Sequence, residues 1–163
     1  MIEFFENDKN KEFHSFNNCG NNNIQNKLIL RGIYDYEYIK NIFPELEIEI
    51  VKSFEKYKKN LKNYFCPIDY KIDTFVIKKY LKGASMKLHV DNNTLNSSKR
   101  FLTFLIYLNN CDSGYTIFPN QKIKIKPIEN HIIFFPPYWE YPHMVETVNE
   151  NRYIINGFFE IVL

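Results

Sequence analysis

The chain has 163 residues, the length of one domain, and its 45% hydrophobic and 17% aromatic content is that of a packed globular protein, not a disordered one. Its 21 Lys and Arg against 19 Asp and Glu leave a net charge of +2, which gives little reason to expect nucleic acid or a membrane surface as a partner. The amino terminus lacks a basic start followed by an apolar run, and no stretch is apolar enough to span a membrane. These features predict an intracellular, cytoplasmic protein.

The first part of the chain divides into an Asn-rich arm and a helical segment. Residues 1–25 include the run Asn21-Asn22-Asn23 and show little periodicity, which predicts a loop or a partly ordered arm. Residues 34–66 carry apolar side chains at three- and four-residue steps, which predicts a short helix and then a long amphipathic one. Pro44 suits the first turn of the long helix, and Cys66-Pro67 suits its end. We interpret these helices as support for the rest of the domain.

Residues 67–163 change to the pattern of short strands separated by turn-forming residues. The candidate strands are Ile72–Tyr80, Met86–Asp91, Phe101–Leu108, Tyr115–Phe118, Ile123–Ile125, Ile132–Phe135, His143–Val148 and Arg152–Val162. So many short strands at close spacing predict a mainly β sandwich or barrel with helices at its N-terminus. The chain shows no internal repeat, and we predict one catalytic domain over residues 1–163.

Two histidines and an aspartate form a candidate metal site. Side chains two positions apart in a strand point to the same side, so His89 and Asp91 can face one centre. His143 begins a later candidate strand and supplies the second imidazole. Two His and one carboxylate on one face of a metal leave the opposite positions open, which is the arrangement of non-heme Fe(II) oxygenases. Each residue alone is equally compatible with a surface or core role.

Arg152 is the fourth candidate. It follows His143 after a predicted strand and a tight turn at residues 149–151, which would return it to the same site. Arginine presents a planar fork that pairs with a carboxylate through two hydrogen bonds. The alternative role for Arg152 is a surface ion pair. The cations of this chain are nearly all Lys, so a surface ion pair is a weaker explanation for an Arg here than in most proteins.

Taken together and in order, these residues lie in stretches that resemble the prolyl-4-hydroxylase-like branch of the 2-oxoglutarate/Fe(II)-dependent dioxygenases. The resemblance covers about half of the chain. Between Tyr80 and Phe159 the matching stretches are Tyr80-Leu81-Lys82-Gly83-Ala84-Ser85-Met86-Lys87-Leu88-His89-Val90-Asp91-Asn92, Arg100-Phe101-Leu102-Thr103-Phe104-Leu105-Ile106-Tyr107-Leu108-Asn109, Ser113-Gly114-Tyr115-Thr116-Ile117-Phe118-Pro119, Ile125-Lys126-Pro127, Phe134-Phe135-Pro136, Tyr141-Pro142-His143-Met144-Val145 and Arg152-Tyr153. Ser113 and Asn151 stand where the family usually has glycine, which affects the expected loop shapes and not the candidate ligands.

The resemblance implies a fold and a set of roles. It implies a double-stranded β-helix core, jelly-roll and cupin-like, with a metal at one open end. His89, Asp91 and His143 match the ligands of Fe(II). Arg152 matches the residue that binds the distal carboxylate of the cosubstrate 2-oxoglutarate, where Tyr107 assists with its hydroxyl. Tyr80 matches a residue that lines the cosubstrate pocket, and both tyrosines have an alternative reading as aromatic core.

The implied activity couples oxidative decarboxylation of 2-oxoglutarate by O2 to hydroxylation of an unactivated C–H, with ascorbate maintaining the iron as Fe(II). The resemblance favours a prolyl residue in a peptide or protein as substrate, with a free amino acid or another small molecule as the alternative.

Nucleic-acid demethylases of the superfamily typically carry a second arginine soon after the first, and residues 153–163 contain none, so nucleic acid is not the expected substrate. An alternative of another class is a non-enzymatic β-barrel binding module that retains a metal site. The oligomeric state stays open.

Overall fold

The computed structural model describes residues 1–13, 28–61 and 66–162. Within these ranges the chain forms three α-helices, which are α1 (Ile2–Asn7), α2 (Tyr36–Ile42) and α3 (Pro44–Asn60). The strands in the same ranges are β1 (Glu12–Phe13), β2 (Ile29–Tyr34), β3 (Tyr70–Ile72), β4 (Phe75–Tyr80), β5 (Met86–His89), β6 (Arg100–Tyr107), β7 (Thr116–Phe118), β8 (Ile123–Ile125), β9 (Ile132–Phe135), β10 (His143–Val145) and β11 (Arg152–Ile161).

The strands form two antiparallel sheets. The larger sheet has the order β1-β2-β4-β11-β6-β9, with β3 also paired to β11, and the smaller sheet has the order β5-β10-β7-β8. The consecutive strands β4 and β5 lie in different sheets, as do β6 and β7, and β10 and β11, so the chain passes repeatedly from one sheet to the other. This is a double-stranded β-helix core with helices at its N-terminus, and it confirms the predicted fold class.

Alternation along β6 and β11 separates an inner face from an outer one. Leu105 and Tyr107 are buried in a cluster with residues of both sheets, whereas Leu102 and Phe104 are buried against the helices. Gly157 lies opposite Phe104 on β11, where an added Cβ would come within 2.2 Å of the Phe104 ring. The absence of a side chain at Gly157 therefore leaves room for Phe104 in the outer core, which is the buried cluster between the larger sheet and the helices.

Helix α3 covers the outer face of the larger sheet. Pro44 lies in its first turn as predicted, with acidic residues beside it and basic residues in the last turn, which suits the helix dipole. Phe54 is fully buried on its inner side, 4.4 Å from Phe159 between ring centroids. Among the described residues, no helix has both the length and the apolar character that a membrane span requires.

Replacing Phe54 with alanine should lower the free energy of unfolding by about 3–5 kcal/mol, because it leaves a cavity among aromatic rings. Urea unfolding followed by circular dichroism measures this loss. Ile48→Ala is the matched control on the same helix, because the Ile48 side chain is 52% exposed and should change stability little. Equal losses in the two variants would contradict the proposed position of α3 on the sheet.

The prediction of a loop or arm over residues 1–25 is wrong for its first part. Residues 2–7 form helix α1, and Phe5 of that helix is fully buried in the outer core. Residues 12–13 form β1, which pairs with β2. These elements are too short to show a period of their own, and contacts with distant residues hold them. Residues 14–25 of the predicted arm lie outside the described residues.

The strand β2 has no counterpart in the sequence prediction. It pairs with β4 over six residues, from Ile29 opposite Tyr80 to Tyr34 opposite Phe75. Arg31 and Gly32 interrupt the apolar alternation, so the local pattern is weak. The other differences concern element ends: α3 ends at Asn60, and the predicted strand Ile72–Tyr80 is divided into β3 and β4.

Candidate active site

Strand pairing brings the candidate metal ligands together. His89 ends β5, His143 begins β10, and the two residues lie opposite each other in the antiparallel register. Their imidazole rings are 4.3 Å apart between centroids. Asp91 follows the end of β5 by two residues, so its side chain lies on the same side as His89.

The donor atoms of these three residues surround one point. One ligand atom from each of His89, Asp91 and His143 lies within 4.8 Å of the other two. His89 Nε2 is 3.8 Å from Asp91 Oδ1, and His143 Nε2 is 3.7 Å from Asp91 Oδ2. In the part of the chain that the structure describes, this is the one group of three His, Cys, Asp or Glu side chains with that closeness. Such spacings leave room for a metal ion at about 2 Å from each donor.

Hydrogen bonds orient each of the three side chains. His89 Nδ1 donates to the Lys87 carbonyl oxygen at 2.8 Å, and His143 Nδ1 donates to the Tyr141 carbonyl oxygen at 3.3 Å. A protonated Nδ1 places the lone pair of each ring on Nε2, which is the atom that faces Asp91. Thr103 Oγ1 donates to Asp91 Oδ2 at 2.9 Å and so fixes the carboxylate.

The electrostatics favour a neutral imidazole at His89. Burial lowers the pKa of His89, and the neighbouring His143 lowers that pKa further, while Asp91 opposes both effects. A neutral imidazole is the form that binds a metal ion. Two neutral nitrogen ligands and one carboxylate suit Fe(II) and leave part of its coordination sphere for other ligands.

Arg152 lies in the same interior and is fully buried. Its guanidinium carbon is 4.8 Å from the Tyr80 ring centroid and 5.3 Å from that of Tyr107. Nη2 donates to Thr116 Oγ1 at 3.0 Å, whereas Nε and Nη1 have no hydrogen-bond partner among the described residues. No carboxylate of the described residues forms an ion pair with this guanidinium, and burying a charge with two unsatisfied nitrogens costs free energy. These nitrogens therefore fit the distal carboxylate of a diacid such as 2-oxoglutarate.

The two candidate tyrosines contact this guanidinium differently. Tyr107 donates its hydroxyl hydrogen to Thr116 Oγ1 at 2.9 Å, so its hydroxyl lies beside the Arg152 nitrogens. The Tyr80 hydroxyl is directed to Met86 Sδ at 3.7 Å, and Tyr80 meets Arg152 with its ring. Burial raises the pKa of both phenols, which keeps them protonated.

One cavity connects the metal ligands with the surroundings of Arg152. Its wall combines the three candidate ligands with apolar and polar side chains of both sheets, namely Lys78, Tyr80, Met86, Leu105, Thr116, Phe135, Val145, Ile154 and Asn156. Sequence reasoning did not assign Lys78, Thr116 or Asn156 to the site. Thr116 stands in a stretch that carries the family resemblance, but its contact with Arg152 depends on the pairing of the two sheets.

A double-stranded β-helix with two histidines, a carboxylate and a buried guanidinium in its interior is typical of the 2-oxoglutarate/Fe(II) oxygenases. The model of the 2OG-Fe(II) oxygenase superfamily matches residues 75–160, more than half of the chain. The chain therefore belongs to the 2OG-Fe(II) oxygenase superfamily, whose cofactor and cosubstrates are Fe(II), 2-oxoglutarate and O2. No curated protein sequence matches the chain.

Solved structures of prolyl hydroxylases are similar to this chain. The viral collagen prolyl hydroxylase of Paramecium Bursaria Chlorella virus-1, in its 2OG complex, is 26% identical over 73% of this chain and 74% of its own, with a TM-score of 0.60. A prolyl hydroxylase from Trichoplax adhaerens, in complex with a hypoxia inducible factor peptide fragment, is 21% identical over 81% and 62% of the two chains, with a TM-score of 0.62. A Pseudomonas putida prolyl-4-hydroxylase is 18% identical over 82% and 72%, with a TM-score of 0.61. The resemblance to the prolyl-4-hydroxylase-like branch is thereby confirmed.

Proposed function

We propose that this chain is a prolyl-4-hydroxylase-like enzyme in which His89, Asp91 and His143 bind Fe(II) and Arg152 binds 2-oxoglutarate. The observation that carries the proposal is the buried Arg152, which has two nitrogens without a partner among the described residues and contacts Tyr80 and Thr116, two residues that line the cavity of the three metal ligands. A binding module that retains a metal for stability does not need a buried arginine that can bind the distal carboxylate of 2-oxoglutarate. The buried guanidinium therefore favours the enzyme over that alternative.

The residues that line the cavity and those directly behind them have separate tasks. Bound iron would supply the oxidative chemistry that inserts oxygen into an unactivated C–H. Arg152 holds the distal carboxylate of 2-oxoglutarate, and the hydroxyls of Tyr107 and Thr116 lie beside it as further polar contacts. Leu105 and Ile154 contribute apolar wall that excludes water. Thr103 keeps the Asp91 carboxylate in place for the metal.

The proposed substrate is a prolyl residue in a peptide or protein. The similar Trichoplax adhaerens structure holds a peptide fragment, which supports this class over a small molecule. Two loops adjoin the metal ligands, residues 92–98 after Asp91 and residues 136–142 before His143, and Asn92 N donates to the Pro137 carbonyl at 2.9 Å between them. They carry Leu95 and Trp139, which are 88% and 75% exposed and offer apolar contacts to a chain.

The proposal is tested with purified protein, Fe(II), ascorbate and 2-oxoglutarate. We expect 2-oxoglutarate to bind anaerobically and to be converted to succinate in air, with ascorbate sustaining turnover. A panel of proline-containing peptides should include members that gain the mass of one oxygen. Absence of both 2-oxoglutarate binding and succinate would favour the binding module, whereas hydroxylation of free amino acids alone would replace the peptide by a small molecule as substrate.

Replacing Thr103 with valine should weaken Fe(II) binding by about ten- to a hundredfold, because Asp91 loses the hydrogen bond that orients it. Anaerobic titration calorimetry with Fe(II) measures this change. Thr116→Val is the matched variant and should chiefly weaken binding of 2-oxoglutarate, since Thr116 contacts Arg152 and Tyr107. If both variants changed Fe(II) and 2-oxoglutarate binding equally, the division of the cavity into two parts would be wrong.

A further inference from the structure

Lys78 places a positive charge in the wall of the cavity. It lies on the inner face of β4, opposite Ile154 of β11, and lines the same cavity as His89 and Asp91. Its Nζ donates to Asn156 Oδ1 at 3.4 Å, which is its one hydrogen bond among the described residues. No carboxylate of the described residues lies within ion-pair distance of this ammonium group.

The neighbouring residue Lys79 has the surroundings of an ordinary surface cation, unlike Lys78. Lys79 points to the outer side of the sheet and pairs with Glu6 at 2.6 Å, under the Tyr153 ring. Lys78, by contrast, lies opposite Ile154 of β11 and lines a cavity whose wall includes the apolar side chain of Leu105. Lys78 is half-buried there, and even partial desolvation of an ammonium group costs free energy that an apolar residue would avoid, so the charge requires a compensating role.

The charges around Lys78 do not supply that compensation. Burial is the main effect that lowers the pKa of Lys78 to about 8, Asp91 opposes it, and Arg31 and Arg152 lower it further. At neutral pH the side chain is therefore still mostly charged. Asp91 is committed to the proposed metal site, and the two carboxylates of 2-oxoglutarate would be held by the metal and by Arg152. None of these carboxylates is therefore left to form an ion pair with Lys78.

We propose that Lys78, held by Asn156, binds a carboxylate of the prime substrate and thereby selects substrates that carry one beside the hydroxylated carbon. This inference rests on the proposed function and adds the substrate class to it. The carboxylate can belong to a C-terminal or free residue, or to an acidic side chain next to the target. Asn156 keeps the ammonium group in the cavity, because its Nδ2 also donates to the Phe104 carbonyl at 3.5 Å.

The test uses a peptide panel in which each proline-containing sequence is made as a free acid and as a C-terminal amide, with and without aspartate beside the proline. Free L-proline is added as a third source of the carboxylate. Stimulation of succinate formation gives the KM of each member, and anaerobic calorimetry on the Fe(II) and 2-oxoglutarate complex gives binding without turnover. Binding of 2-oxoglutarate to the wild-type protein tests the proposed function separately.

The wild-type protein should prefer members with a carboxylate near proline by about tenfold or more in KM, and Lys78→Met should remove that preference. Lys78→Arg should restore part of it, which a merely structural role of the lysine would not do. Lys79→Met is the matched control on the same strand and should keep the wild-type preference.

The comparison within the panel identifies the source of the carboxylate. A loss confined to amidated peptides assigns it to the terminus, whereas a gain from aspartate assigns it to a side chain. Equal KM values for acid, amide and aspartate forms, or a preference that survives in Lys78→Met, would overturn the inference. A protein that turns over 2-oxoglutarate but responds to no carboxylate-bearing member would overturn it too, while leaving the proposed oxygenase intact.

Discussion

Asp91→Ala should abolish turnover of 2-oxoglutarate, with a loss of at least about a thousandfold in rate, or about 4 kcal/mol of transition-state stabilisation. Asp91 is the one carboxylate among the three candidate ligands, so its removal leaves two neutral imidazoles. Two neutral ligands neither balance the charge of Fe(II) nor fill one face of it. His89→Ala should have the same result, because the two remaining donors, Asp91 in the loop after β5 and His143 on β10, cannot fix the ion alone.

Succinate formation and iron content after anaerobic loading are the measurements for this prediction. Asp112→Ala is the matched control, because Asp112 forms an ion pair with Lys126 at the surface and its side chain is 92% exposed. Circular dichroism should show the same strand content in all three variants. If Asp91→Ala kept both its iron and its turnover, the assignment of these residues to the metal would be wrong.

Arg152→Ala should raise the KM for 2-oxoglutarate by about a hundredfold, equivalent to about 3 kcal/mol, because the distal carboxylate loses a buried cation. The effect on kcat at saturating cosubstrate should be smaller, since the metal ligands keep their hydrogen bonds to Lys87, Tyr141 and Thr103. Initial rates over a range of 2-oxoglutarate concentrations separate the two constants.

A second substitution distinguishes charge from packing at this position. Arg152 is fully buried between Tyr80 and Tyr107, so truncation to alanine also removes a large volume from the core. Arg152→Met retains much of the volume without the charge, and Arg152→Lys retains a charge without the planar fork. We expect methionine to behave as alanine does in KM and lysine to recover part of the affinity. If all variants kept the wild-type KM for 2-oxoglutarate, Arg152 would not have the proposed role.

Local patterns in the sequence were sufficient for the parts of the fold that have a strong period. The amphipathic repeat with Pro44 predicted helix α3 and its start, and the apolar pattern of Phe101–Leu108 predicted strand β6. The spacing of His89 and Asp91 predicted that their side chains lie on one side of a strand end. These features depend on the geometry of a single helix or strand, which repeats along the chain wherever the pattern is long enough.

The tertiary structure alone decided which distant residues meet. The register of β5 and β10 places His143 opposite His89, and the pairing of β4 with β11 places Lys78 in the cavity. Lys78 and Lys79 are identical in type and adjacent in sequence, yet one faces the site and the other pairs with Glu6 on the outer surface. The short elements α1 and β1 and the interrupted strand β2 are likewise held by partners far along the chain. Residue type and period describe one element at a time, whereas burial and charge pairing arise only when the strands of both sheets are assembled.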